Sequence, residues 1–446
     1  MVSRKRFATA LVLALAMFVV ACGGSDNGGG STSGGGGAAS TAAQDTGVTK
    51  GVAKAPTLDQ AKDATGSVTY CTGKDTSGAQ VESVKQFNAK FKAQGLSAKL
   101  LELPTSADEQ RNQFVQRQEA KSSECDIFFS DVIWTAEFAA QKWLLDMSDF
   151  VSQRKAEFIP STLETIHFDN KYFGVPQASD AAFMYYRKDK VSTFPSTWQQ
   201  LYSEAQKQGG IVYQGASYEG LTCDFLELAF AAGGKVLSDD GKKSAINSPQ
   251  NLKALQFMVD GVKSGAAPKA VTTFMEEESR RSFESGKPAF MRNWSYAYAL
   301  GNAKGSKVKN KFAVAPFPTF EGGTKAAILG GHNLVISAYS KNPKGAVQLI
   351  DFLTSEQIEA QDAVKYSLTP VLNATYDDPA VKKAMPFAAE LKQAVTQAHA
   401  RPVTPVYPQV SQAIYKNVNA ALAGQTSPQD ALKKADSQIN SALATF

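Results

Sequence analysis

The chain has 446 residues, of which 43% are hydrophobic and 20% charged. That length and balance allow a full core and exclude a disordered or multi-span membrane chain. The formal net charge of +5 includes Arg4, Lys5 and Arg6, and falls to +2 without them, so nothing in the charge points to nucleic acid.

The three cations precede an apolar run, residues 7–20, that reads as a secretory h-region too short to span a membrane. It ends in Val19, Val20, Ala21 and Cys22, followed by Gly23 and Gly24. This resembles a bacterial lipobox, in which the signal (1–21) is cut before a cysteine that receives lipid. The alternative is an ordinary signal peptide. Residues 22–65 are expected to be a Gly-rich tether, about thirty residues of which would span roughly 30 Å as a flexible coil.

Cys71, Cys125 and Cys223 remain. With Cys71 late in one strand and Cys125 just ahead of another, in-register parallel neighbours would hold their Cα atoms roughly 10 Å apart. Buried free thiols are therefore expected. The histidines, His167, His332 and His399, have no spacing that suggests a metal site, and no cofactor is implied.

From Val68 the chain alternates short apolar runs with amphipathic ones, the pattern of doubly wound α/β domains. Strands are predicted at 67–72, 99–103 and 126–129, with helices over 80–94, 107–119 and 131–141. A second cycle has strands at 183–186, 210–214 and 289–291 and helices over 197–208, 221–232 and 249–264. A strand at 334–337, a helix over 343–353 and two final helices, 409–422 and 427–443, complete it. Two α/β lobes would bind a ligand between the carboxyl ends of their strands. Glu276, Glu277 and Glu278 beside Arg280 and Arg281 are expected to form a solvated helix face.

Several segments carry a resemblance. They are Ser130 to Phe138 (SDVIWTAEF), Gly174-Val175-Pro176 with Asp180 and Tyr185-Tyr186-Arg187, and Pro195-Ser196-Thr197-Trp198. Met291-Arg292-Asn293-Trp294, Val314-Ala315-Pro316-Phe317-Pro318, Leu329-Gly330-Gly331-His332-Asn333, and Arg401-Pro402 with Tyr407 follow in order. Together, over nearly everything from Val68 to Leu443, they resemble the family 1 extracellular solute-binding proteins of ABC importers, in their trehalose/maltose-binding branch.

The resemblance implies a two-lobed periplasmic-binding-protein-like fold with a hinge of several crossings. Lobe one would be 66–179 plus 320–368, and lobe two 180–319 plus 369–446. It also implies a non-enzymatic, monomeric binding lipoprotein on the outer face of the membrane, delivering an α-glucoside such as trehalose or maltose to a permease. The branch's binding residues carry over to Arg111, Asp131, Asp180, Trp294, Gly331, Arg401 and Tyr407, with Asp75 or Lys74 as a further contact. Ala178 and His332 stand where the branch leads one to expect an aromatic residue and Trp, which widens the cleft and leaves the sugar open.

The residue types suit a sugar. Carboxylates accept hydroxyl protons, arginines donate in a planar fork, and Trp294 and Tyr407 would offer flat apolar faces to a ring. Each has an alternative: Asp131 as a helix N-cap, Trp294 as core, Arg401 as a surface cation, His332 as a structural histidine. A different sugar, or a secreted glycoside hydrolase using Asp131 and Asp180, are the competing functions. No nucleophile elbow or metal-ligand pair supports a hydrolase.

Overall fold

The computed structural model describes residues 47–445; the signal segment, Cys22 and the first part of the tether lie outside them. The strands in chain order are β1 (Gly66–Gly73), β2 (Leu96–Leu103), β3 (Ile127–Asp131), β4 (His167–Phe168) and β5 (Lys171–Tyr172). They continue with β6 (Val175–Ala181), β7 (Phe183–Arg187), β8 (Ile211–Val212), β9 (Phe290–Asn293), β10 (Phe312–Ala315) and β11 (Leu329–Ile336).

Two sheets organise two lobes. The first has the order β2-β1-β3-β11-β6, with β1 parallel to β2 and β3, and β11 antiparallel to β3 and β6. The second has the order β10-β7-β9-β8. The apolar runs that mark β1 and β3 need cover on both faces, supplied in part by Phe87 of the helix Ala79–Phe91 and Phe114 of the helix Ala107–Glu119, both fully buried. Gly95, at φ +73°, ends the short turn Lys92–Gln94 that follows the first of these helices, in the left-handed conformation that favours glycine. Only Ala182 separates β6 in one sheet from β7 in the other, so the first crossing between lobes is a single residue.

Several expectations need correction. Residues 47–65 are not all tether: Thr49 is fully buried with its N–H and O–H on Asp169, and Ala55 N–H donates to Asp146 O at 2.8 Å. Thr57 caps a short helix, Leu58–Ala61, whose Ala61 is buried against lobe one. The apolar Ala55, Leu58 and Ala61 give this stretch enough surface to bury, which the Gly-rich residues before it lack.

The lobe boundary also shifts. Phe320, Ala326 and Ile328 pack in the lobe-two core, and Ile328 bridges to His399, so the return crossing is complete only near β11. Conversely Val371 and Leu372 pack with Val175 and Leu334 of lobe one.

Cys71 and Cys125 form a disulfide, contrary to the expectation of free thiols, with their Cα atoms 5.8 Å apart. The strands are parallel, with Cys71 opposite Phe128, but the chain bends at Asp126 rather than running on extended. That bend brings Cys125 back to Cys71. Cys223 is free and buried. The acidic face at Glu276–Glu284 is likewise not simply solvated: Glu277 and Arg280 pair at 2.6 Å with little exposure, and Tyr296 O–H donates to Glu277.

Candidate functional site at the lobe junction

Asp131 closes β3, at the carboxyl end of the first sheet. Its Oδ1 accepts the Ile133 N–H at 3.2 Å, capping the turn Val132–Trp134, and lies 3.4 Å from Arg401 Nη2. Capping and partner contact are made by the same carboxylate. Arg401 is 5% exposed and comes from the irregular segment ahead of the helix Tyr407–Leu422. Its Nη1 donates to Glu219 at 2.8 Å and its Nη2 to Leu329 O at 3.3 Å.

Glu219 opens the helix Glu219–Ala231 of lobe two and gathers three donors: Arg401, the Tyr407 hydroxyl at 2.7 Å, and the Ser411 hydroxyl. Burial pushes its carboxyl up to about 7, with Arg401 opposing that rise and Asp131 adding to it. Its own N–H donates to Asp108 Oδ2 at 3.0 Å, a second tie to lobe one.

Asp180, in β6, accepts from the Ser295 N–H at 3.1 Å, the Ser295 hydroxyl at 3.0 Å and the Thr369 hydroxyl at 2.8 Å. Burial raises its carboxyl to about 6. These bonds join β6, the turn after β9 and the crossing around Thr369, so Asp180 sits where the connections between lobes converge.

Trp294 is partly buried, its ring 4.1 Å from the Arg292 guanidinium carbon. Arg292 is in turn held by Asp224 at 2.7 Å, Glu227 at 2.6 Å and the Gln214 side-chain oxygen at 2.8 Å. The indole also packs so close to Gly330 that a Cβ there would come within 2.8 Å of Cζ3. The neighbouring Gly331 has φ +115° and leaves no room for a side chain against Ala178 O, so both glycines are required for β11 to lie against β6 and Trp294. His332 follows, opposite Asp131 and Ala178 in register, its ring stacked on Phe129 at 4.0 Å and 7°.

The structure thus places Asp131, Asp180, Trp294, Gly331, His332 and Arg401 as neighbours around β11 and β6, with Asp131 and Arg401 buried. The other three predicted residues are engaged elsewhere. Tyr407 is fully buried and holds Glu219, so its ring is not an open platform. Asp75 accepts from Ser77, Gly78 and Val81 within its own loop. Arg111 makes a bidentate pair with Glu137. The residues missed are Glu219, Asp224 and Glu227. For two of them a signal was present: Asp224 and Glu227, three apart in a mostly apolar helix, require buried partners.

A family model described as bacterial extracellular solute-binding protein matches residues 78–360. The chain belongs to that family, the solute-binding proteins of ABC importers. A probable ABC transporter-binding protein of Deinococcus radiodurans is 37% identical to this solute-binding protein over 377 residues, covering 80% of this chain and 89% of the relative. Among solved structures, maltose-bound MalE3 of T. maritima is similar at a TM-score of 0.80 and 36% identity, covering 84% of this chain and 98% of that one. A solute-binding protein of Thermotoga lettingae bound to α-D-tagatose matches with a TM-score of 0.77 and 25% identity, over 84% and 99% of the two chains.

Proposed function

We propose that this solute-binding protein captures an α-glucoside such as maltose or trehalose between its lobes and hands it to an ABC permease. It acts as a monomer, held to the outer face of the cytoplasmic membrane by lipid on Cys22. The observation that carries the reading is the meeting of Asp131 from one lobe with Arg401 from the other, 3.4 Å apart, beside β11, against which Trp294 also packs. Charged acceptors and donors for sugar hydroxyls lie beside a ring braced from behind, and closure of the lobes would desolvate both together. The maltose in the T. maritima relative supports the ligand class.

In this reading Asp131, Asp180, Arg401, Trp294, Gly331 and His332 line the sugar site. Tyr407 acts through Glu219, and Arg111 and Asp75 shape the rim. Asp180 has both oxygens occupied by protein donors, which suits a fixed acceptor better than a hydrolytic acid. A thermal-shift panel of some twenty sugars, followed by calorimetric titration of those that shift, tests the function. Stabilisation by maltose or trehalose with the sugar recovered unchanged is expected; no shift by any α-glucoside overturns the ligand class. Cys22→Ser should release the protein to the medium or stall its processing, and a variant still anchored and acylated would refute the lipoprotein assignment.

A further inference from the structure

Beside Ala178 is a small cavity lined by Gln80, Gln177, Glu359, Asp362 and Thr369, with room for about one water-sized group. Four separate elements meet there: the helix Ala79–Phe91, β6, the helix Glu356–Tyr366 and the crossing around Thr369. Thr369 also bonds Asp180, so the cavity adjoins the site described above.

Two carboxyl oxygens in its lining are without a hydrogen-bond partner. Asp362 is 7% exposed, and its buried Oδ1 has no donor in the protein; the same is true of Glu359 Oε1. The other Glu359 oxygen is fixed by the N–H groups of Val371 and Leu372. The Tyr70 hydroxyl lies 3.0 Å from Gln80 Oε1 and 3.1 Å from Gln177 Oε1 and serves those amide oxygens. A buried carboxyl oxygen without a partner works against folding, so its presence beside a ligand site marks a place where the ligand supplies the partner.

We propose that this cavity is a subsite for one hydrogen-bond-donating arm of the bound sugar, a hydroxymethyl or aminomethyl group that passes Ala178 and donates to Asp362. Size selects the arm: a pyranose ring cannot enter a space of one water, whereas the terminal hydroxyl or amine of a group standing one carbon off the ring can. The assignment rests on the sugar-binding reading.

The test titrates maltose, trehalose and their 6-deoxy and 6-amino-6-deoxy forms, including both positions on maltose, into the wild type, Asp362→Ala and Ala178→Val. For the tighter disaccharide, both substitutions should weaken binding at least tenfold. One 6-deoxy form should bind all three proteins alike, and its 6-amino counterpart should depend on Asp362 most. The unliganded Asp362→Ala protein should melt no lower than wild type, because it loses a carboxyl without a protein partner. Wild-type affinity in Asp362→Ala, or an equal loss for every deoxy form, would overturn the subsite and leave a solvent-filled cavity. If Asp362→Ala does not fold, Ala178→Val decides alone by the same comparison. Failure of the wild type to bind any of these sugars overturns the sugar-binding reading itself, and the subsite with it.

Discussion

Arg401 Nη2 stands 3.4 Å from Asp131 Oδ1 across 270 residues of chain, while its Nη1 holds Glu219 at 2.8 Å. The arginine is therefore both a contact between lobes and the counter-charge of a buried acid. Removing it should do two things. Arg401→Ala should weaken sugar binding more than tenfold, about 1.4 kcal/mol, and should also lower the melting temperature, because Glu219 is left buried without its cation. Arg401→Ala with Glu219→Gln should recover part of the stability and none of the affinity. Calorimetric titration and scanning calorimetry on the three proteins separate the effects, and an unchanged affinity in Arg401→Ala would remove it from the site.

Stability should fall with rising pH. Burial holds Glu219 and Asp362 at about 7 and Glu359 at about 8, above the usual carboxylate range. The unfolded chain releases these protons near pH 4 while the folded chain keeps them to about pH 7 to 8, so each step up in pH between those values favours unfolding. Between about pH 6.5 and 8.5 the histidines of the unfolded chain are already largely neutral, leaving the carboxyls to set the slope. The unliganded melting temperature should drop across that window, and Glu359→Gln should flatten the decline. A melting temperature that rises with pH there would contradict the burial argument.

The disulfide closes a sequence separation of 54 residues between β1 and β3. In the chain-entropy account such a closure contributes about 4 kcal/mol. Of the three cysteines after Cys22, only Cys223 should be alkylated in the denatured, unreduced protein. Cys71→Ser with Cys125→Ser should lower the denaturant midpoint. Three alkylated thiols would refute the bridge.

Much of this fold was legible because period and composition agree. The β1 and β3 runs, the helix that begins near Gln80 and the final pair of helices follow directly from apolar spacing. β6 was not read as a strand, because Pro176, Gln177, Ser179 and Asp180 break any apolar pattern; those polar residues face the hinge and the site. The disulfide was hidden by a bend at Asp126, which no periodicity announces. At the candidate site, Asp131, Asp180, Trp294 and Arg401 were named by resemblance to known motifs. Glu219 was not, because an acid at a helix start is commonplace and its partners lie about 180 to 190 residues away.

His332 offers the finest discrimination. Its ring lies flat on Phe129, and burial holds its pKa below the ordinary 6.5, with Arg401 also lowering it and Asp131 opposing. The ring is therefore neutral at pH 7 and has a nitrogen free to accept a sugar hydroxyl. Affinity should show no effect of this group from pH 8 down to about 6.5, and should weaken only below that, where protonation removes the acceptor. His332→Phe keeps the stack on Phe129 and removes the nitrogen. It should melt close to wild type yet bind the sugar about fivefold more weakly, the value of one hydrogen bond near 1 kcal/mol, and should lose the acid-side decline. Titration of maltose at pH 5.5 and 8 into both proteins decides it: matching affinities at both pH values would make His332 a packing residue of the sheet, outside the sugar site.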